Sequence, residues 1–233
     1  MQQTHRGKRR RHNEDAVLSR SPAGLWVVAD GMGGHQAGEV ASHAITAALA
    51  AVPLVGPLSG QVDAVEDALL AVNDELRLHA SGQGAGATIG STVVAMVAEG
   101  RVAAVLWAGD SRLYRLRDGR LEQITRDHNP ISDLLDSGTV SEEEALAADT
   151  NIITRAVGGQ PRLFLDVAVF DVALQDTYLL CSDGLYRELD SAQLAAGLAE
   201  QELQRAADGL LELSLEGPAQ DNISLVIMRP ELP

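Results

Sequence analysis

The chain has 233 residues, 45% of them hydrophobic, 18 basic against 33 acidic, for a formal net charge of −15, and one cysteine, Cys181. That length is compatible with one large domain able to bury a substantial core without disulfides, and a lone cysteine excludes both a disulfide framework and a cysteine-based zinc site. The acidic balance opposes general nucleic-acid binding. No run reaches the roughly 18–20 apolar residues of a membrane span, and the basic, polar start carries no apolar leader segment, so a cytoplasmic protein with no membrane partner is expected.

In chain order, the first feature is a cationic island, His5-Arg6-Gly7-Lys8-Arg9-Arg10-Arg11-His12, in an otherwise acidic sequence. Short apolar runs then predict strands at Ala16–Ser19 and Leu25–Ala29. Helical spacing of Val40, Ala41, Ala44, Ile45, Ala48 and Leu49 predicts a helix, and Val65, Leu69, Val72 and Leu76 predict a second over Val62–Ala80. The Gly-rich stretch Ser81–Gly90 reads as a connection. Strands follow at Ser91–Ala98, Val102–Ala108, Leu113–Leu116 and Leu121–Ile124, separated by Glu99-Gly100, Asp110-Ser111 and Asp118-Gly119 turns, as an antiparallel meander. The polar segment Thr125–Gly159 interrupts the series and reads as an inserted flap carrying helix-like Ile131–Asp136 and Ser141–Ala148. Strands resume at Leu163–Val172, Thr177–Cys181 and Asn222–Met228, with helices at Ser191–Leu198 and Glu200–Leu213 between the last two. Strands grouped centrally and helices in two blocks predict an α+β layered sandwich, not βαβ units.

Acidic residues beside glycine or at strand ends recur: Asp30-Gly31, Gly109-Asp110, Asp183-Gly184 and Asp221-Asn222, with Asn13-Glu14-Asp15 near the start. Each alone is an ordinary turn signal. Gathered at one end of a sheet they would repel strongly unless cations neutralised them. An all-oxygen, carboxylate-rich set suits Mg²⁺ or Mn²⁺, and two such ions about 3.5–4 Å apart can clamp a phosphoryl group. Arginine from the island would grip phosphate oxygens bidentately.

The ordered motifs Arg10-Arg11-His12-Asn13-Glu14-Asp15, Asp30-Gly31-Met32-Gly33-Gly34-His35 with Gly38-Glu39, Gly90-Ser91-Thr92, Gly109-Asp110-Ser111-Arg112, Ser182-Asp183-Gly184 and Asp221-Asn222 resemble the PPM family of metal-dependent, type 2C serine/threonine protein phosphatases. Thr125-Arg126-Asp127-His128 and Ile153-Thr154-Arg155-Ala156 resemble its flap motifs. The resemblance spans nearly the whole chain and implies a single catalytic domain, residues 1–233, with an α-β-β-α sandwich, two central antiparallel sheets and a flap over about 125–159. It implies that Asp30 bridges two metals, that the Gly31 carbonyl binds one, and that Asp183 and Asp221 complete the first ion's shell. Glu14 supports the second ion, Asp15 orients bound water, and Arg10 binds substrate phosphate. Asp110, shared with Asp183, matches the ligand of a third, weaker ion.

The implied reaction is hydrolysis of phosphoserine or phosphothreonine by metal-activated water. Its partners would be phosphorylated proteins, including a serine/threonine kinase or its target, with type VI secretion control one setting, and the enzyme is expected as a monomer. Met32 departs from eukaryotic members that place a general-acid histidine after Asp-Gly; His35 or a metal-bound water would take that role. Two alternatives stand: a non-catalytic phosphoprotein-binding module on the same fold, and a phosphatase for a sigma-factor regulator or a small phosphoester. Arg9 and Arg11, flanking Arg10 on a segment expected to be extended, should point away from it.

Overall fold

The computed structural model describes residues 1–33, 37–82, 88–136, 138–141 and 152–230. His35, the centre of the Ser81–Gly90 connection and most of the flap segment Ser141–Ala148 lie outside them.

Two sheets form the centre, and every strand pairing is antiparallel. The first contains β2 (Asp15–Arg20), β3 (Leu25–Met32), β5 (Val93–Glu99), β6 (Val102–Ala108) and β9 (Asp166–Asp171) in that order, with β4 (Gly90–Ser91) paired to β3. The second runs β1 (Gln2–His5), β11 (Ile223–Met228), β10 (Thr177–Cys181), β7 (Arg112–Arg117), β8 (Arg120–Gln123). The helices are α1 (Ala37–Ala51), α2 (Leu58–Gly82), α3 (Pro130–Asp136), α4 (Asp183–Tyr186), α5 (Ser191–Leu198) and α6 (Leu203–Glu216).

Side-chain alternation explains the layering. Along β10, Tyr178 and Leu180 turn into a core between the sheets with Trp26, Val28, Val94, Met96, Val105, Leu113 and Val226. Leu179 and Cys181, one residue out of phase, turn the other way onto Leu194, Leu198, Ala207 and Leu210 of α5 and α6. On the far side, Val27, Ala29, Val93 and Ala95 meet Ile45, Leu49, Val65, Leu69 and Leu76 of α1 and α2. Three cores between four layers make an α-β-β-α sandwich, as expected. Each fully buried aliphatic side chain contributes about 1.5–3 kcal/mol, so packing, more than helix propensity, holds the outer layers in place. Asp190 and Gln193 close a capping box that starts α5.

One sequence expectation changes. The Val102–Leu116 region is no single meander: β6 belongs to one sheet and β7 to the other, so the chain crosses the sandwich at Gly109-Asp110-Ser111. The N-terminus adds a strand that no sequence pattern marked. Gln2–His5 forms edge strand β1 against β11, with Thr4 and Ser224 hydroxyls 2.7 Å apart and Gln3 donating to Asp208 at 2.6 Å. Its exposed polar side chains carry no apolar alternation by which a strand could be recognised. No described helix is long and apolar enough to cross a membrane.

Candidate active site

The start of β2, the far part of β3, the exits of β6 and β10 and the entrance to β11 all lie at one end of the sandwich. They bring Asp15, Asp30, Asp110, Asp183 and Asp221 together, and all of the other four act electrostatically on Asp30. Asp30 stands directly opposite Asp15 in the β2–β3 register. Like charges facing each other across a strand pair destabilise a sheet, so folding alone gives no reason for this pairing.

The backbone around Asp30 is held from three sides. Its N–H donates to Thr92 Oγ1 at 3.1 Å, and its carbonyl accepts from the Thr92 N–H at 2.8 Å and the Ser91 hydroxyl at 2.9 Å. Thr92 in turn meets Ser111 beside Asp110, 2.7 Å between hydroxyls. Gly31 N–H donates to the Glu14 carbonyl at 3.1 Å. A Cβ on Gly31 would lie 2.1 Å from the Gly38 carbonyl oxygen, so both positions need glycine for α1 to dock against β3.

Burial of its carboxyl, reinforced by Asp15, Asp183, Asp110 and Asp221, pushes Asp30 well above the usual carboxylate range. Burial also raises Asp15 to about 7, against the opposing hydrogen bonds from Ser224 and Ser182; the Ser182 hydroxyl lies 2.8 Å from Asp15 Oδ2. Asp110 rises to about 6, through burial and then Asp183. Asp183 is raised by burial, with Arg187 acting in the opposite direction. Glu14 is raised by burial and drawn back by Arg10.

Two arginines face these acids. Arg10 Nη2 lies 2.7 Å from Asp221 Oδ2. Arg187, at the end of α4 and four residues after Asp183, places Nε 3.0 Å from Asp183 Oδ2 and Nη2 3.7 Å from Asp110 Oδ2. Sequence reading missed Arg187; its only signal was the i,i+4 spacing from Asp183. It also missed Tyr186, whose hydroxyl donates to the Asp110 carbonyl at 3.1 Å while its ring lies 3.6 Å from the Arg112 guanidinium. Arg112 itself grips Asp127 at the flap entrance with two bonds of 2.9 and 2.7 Å.

Asn222 is the third residue that the motifs did not explain. Its Nδ2 donates to the carbonyls of Arg6 and His12 at 2.9 and 3.0 Å, and its Oδ1 accepts from the Glu14 N–H at 2.8 Å. The cationic island is therefore a clamped loop. It is also not extended: Arg9 and Arg10 line the same cavity, contrary to the expectation from alternation.

Among the described residues no three His, Cys, Asp or Glu side chains already surround a single point as metal ligands. Arginines instead sit on Asp221 and Asp183. The donor set nevertheless fits hard divalent cations. Buried Oδ1 atoms of Asp15, Asp110 and Asp183 lack any hydrogen-bond partner, and Asp30 sits among four acids. Unpaired buried carboxylate oxygens are costly, and a divalent ion with oxygen ligands removes that cost.

The fold and this acidic cleft define a metal-dependent hydrolase of the sandwich type, and the comparisons give its family. The profile of the family Protein phosphatase 2C matches residues 2–213, and the chain belongs to it as a PP2C-type serine/threonine phosphatase domain. It is 36% identical over 226 residues to the serine/threonine protein phosphatase PstP of Mycobacterium tuberculosis, covering 95% of this chain but 43% of that protein. With the serine/threonine phosphatase stp of Listeria innocua it shares 31% identity, covering 98% and 94% of the two chains. Among solved structures, PppA of Pseudomonas aeruginosa, described as a key regulatory component of T6SS, matches with a TM-score of 0.90 and 41% identity over 98% and 96% of the chains. The catalytic domain of PstP, solved in complex with two manganese ions, matches with a TM-score of 0.85 and 35% identity over 97% and 95%.

Proposed function

We propose that this chain hydrolyses phosphoserine and phosphothreonine in proteins with the help of Mn²⁺ or Mg²⁺. The observation that carries the reading is the convergence of Asp15, Asp30, Asp110, Asp183 and Asp221, three with unpartnered buried oxygens, facing Arg10. When bound, the two ions supply positive charge for the phosphoryl group and the acidity that makes water a nucleophile at neutral pH. Asp30 would bridge them, with the Gly31 carbonyl, Asp183 and Asp221 holding one and Glu14 the other; Asp110 with Asp183 would hold a third, weaker one. Asp15, fixed by the Ser182 hydroxyl, orients water at the floor of the cleft. Arg10 is half exposed and exchanges its contact with Asp221 for the substrate phosphate.

No side chain offers covalent catalysis through sulfur: Cys181 is buried in the core between the second sheet and its helices. In this reading water, not a side chain, is the nucleophile.

Residues 1–233 act in this reading as one catalytic domain, monomeric and cytoplasmic, where ATP-dependent kinases make its substrates. The flap contributes specificity. Its two ends are tied to the site floor, with His128 N–H donating to the Gly109 carbonyl at 2.9 Å and Val157 paired to Ser91. Likeness to PppA supports a setting in type VI secretion control, and in this reading the partner is a phosphorylated protein of that setting, a serine/threonine kinase or its target. The test is turnover of phosphothreonine peptides by protein stripped with chelator and then given Mn²⁺. Activity should require the ion, and Asp30→Asn should abolish it while leaving the circular dichroism unchanged. Full turnover by metal-free protein would refute the reading.

A further inference from the structure

The cationic island is built as a site. Arg6, Lys8, Arg9, Arg10 and Arg11 fall within six residues of a chain whose net charge is −15, and all five are exposed. Five like charges on a free segment would drive it into an extended, mobile tail. Here the loop is pinned at both ends by Asn222, and in its middle the Lys8 N–H donates to the Ala219 carbonyl at 2.8 Å. Lys8 Nζ reaches the Gly217 carbonyl at 3.0 Å. Gly7, at φ +73°, packs so closely that a Cβ would lie 2.0 Å from the Asp221 carbonyl oxygen.

Beside this loop opens a cavity of about 760 Å³ lined by Arg9, Arg10, Gly184, Arg187, Glu188, Pro218, Gln220 and Asp221. Arg10 is committed to Asp221 and Arg187 to Asp183 and Asp110. Arg9 lines the cavity and, like Arg11 next to Arg10, makes no ion pair with any described residue. Arg9 is carried on a pinned loop and makes no ion pair with Glu188, the carboxylate that shares the cavity wall, so its guanidinium is open to an anion from outside.

We propose that this cavity is a second anion subsite, taking a carboxylate or phosphate carried by the substrate a few residues from the phosphoserine or phosphothreonine. Arg9 meets that anion, and Arg11 extends the positive rim. The enzyme thereby selects acidic or multiply phosphorylated segments. This rests on the phosphatase reading above and adds to it a substrate class.

The test uses one phosphothreonine peptide in which each flanking position is in turn alanine, glutamate, phosphoserine or lysine, with para-nitrophenyl phosphate as a reference lacking flanks. With Mn²⁺ present, the wild-type protein should show kcat/KM about tenfold higher for glutamate or phosphoserine than for alanine at a particular flank position, carried mainly by KM. Arg9→Glu should bring that preference to within about twofold of unity, because reversing the charge removes the anion's partner, and para-nitrophenyl phosphate turnover measures any separate effect on the neighbouring Arg10. Preference for both anions marks charge recognition, and preference for phosphoserine alone marks a second phosphate; either supports the subsite. Equal rates on alanine, glutamate and phosphoserine peptides at every flank position would overturn it. So would a preference that survives Arg9→Glu, or one that follows total peptide charge at any position. Failure to hydrolyse any phosphopeptide would instead sink the phosphatase reading itself.

Discussion

Asp110 and Arg187 show how one side chain alters the meaning of another. Asp110 sits in a turn between sheets, buried, with Oδ1 unpartnered, while Arg187 stands between it and Asp183. A cation bound there competes with the guanidinium for the same two carboxylates. Arg187→Met should therefore tighten the weakest phase of a Mn²⁺ titration followed by calorimetry, and an unchanged isotherm would count against a shared site. Asp110→Ala should fold, keep two ions and lose most turnover on phosphothreonine peptides, with a smaller loss on para-nitrophenyl phosphate, whose leaving group needs little protonation. Loss of a tightly held ion would assign Asp110 to the pair at Asp30 instead. Arg10 belongs to the same scale. Loss of its charge-assisted contact with phosphate costs about 1.5–3 kcal/mol, so Arg10→Ala should lower kcat/KM roughly ten- to a hundredfold. Arg9→Ala and Arg11→Ala should leave para-nitrophenyl phosphate hydrolysis nearly intact. Equal losses from all three variants would mean that the island acts as a diffuse field.

Among elements, the junction of β3 and α1 matters most, because it sets the Gly31 carbonyl beside Asp30. A Cβ on Gly38 would lie 2.7 and 2.8 Å from the carbonyl carbon and oxygen of Gly31. Gly38→Ala should cost about 1–3 kcal/mol by overpacking, visible as a lower melting temperature, and should weaken Mn²⁺ binding as Gly31 shifts. Gly209, inside α6, has nothing within 4 Å of its notional Cβ. Gly209→Ala should instead stabilise by roughly 0.4–1 kcal/mol without touching metal affinity. Equal destabilisation by the two substitutions would mean that the β3–α1 contact has no special place. The crossing at Gly109-Asp110-Ser111 is a second junction of this type, since a continuous meander would have left Asp110 on one sheet, away from Asp183.

At the scale of the whole molecule, a chain of net charge −15 concentrates acids at one end and raises their proton affinity. Asp15 titrates near 7 and Asp110 near 6, and Asp30 lies well above its ordinary range, each chiefly through burial. Unfolded aspartates titrate at about 3.9. Between that value and the folded values the native state holds more protons than the unfolded state, so its stability falls as pH rises from about 4 to about 7. Chelator-treated protein should therefore melt at a lower temperature at pH 8 than at pH 5.5. Mn²⁺, binding the ionised carboxylates of the folded state, should raise the melting temperature more at pH 8 than at pH 5.5. Scanning calorimetry at both pH values, with and without Mn²⁺, checks this; a chelated protein more stable at pH 8 would contradict the strained cluster.

Much was legible from local pattern. Short apolar runs marked β2, β3, β5, β6 and β10, the Val65, Leu69, Val72 and Leu76 stripe marked α2, and the Asp-Gly pairs marked Asp30 and Asp183, because apolar patterning and turn chemistry are properties of neighbouring residues. The ordered motifs also marked the family. Tertiary structure alone decided which distant groups meet: Ser182 with Asp15 across 167 positions, Asn222 with Arg6 across 216, Arg187 with Asp110, and Arg9 with the cavity beside Arg10. It also made a strand of Gln2–His5, whose polar side chains carry no pattern and whose pairing is supplied by β11. The physical reason is one of range. A residue's own conformation is biased by its neighbours in sequence, whereas a counter-ion, a clamp or an edge-strand partner is chosen by whatever the packed layers bring within hydrogen-bond distance.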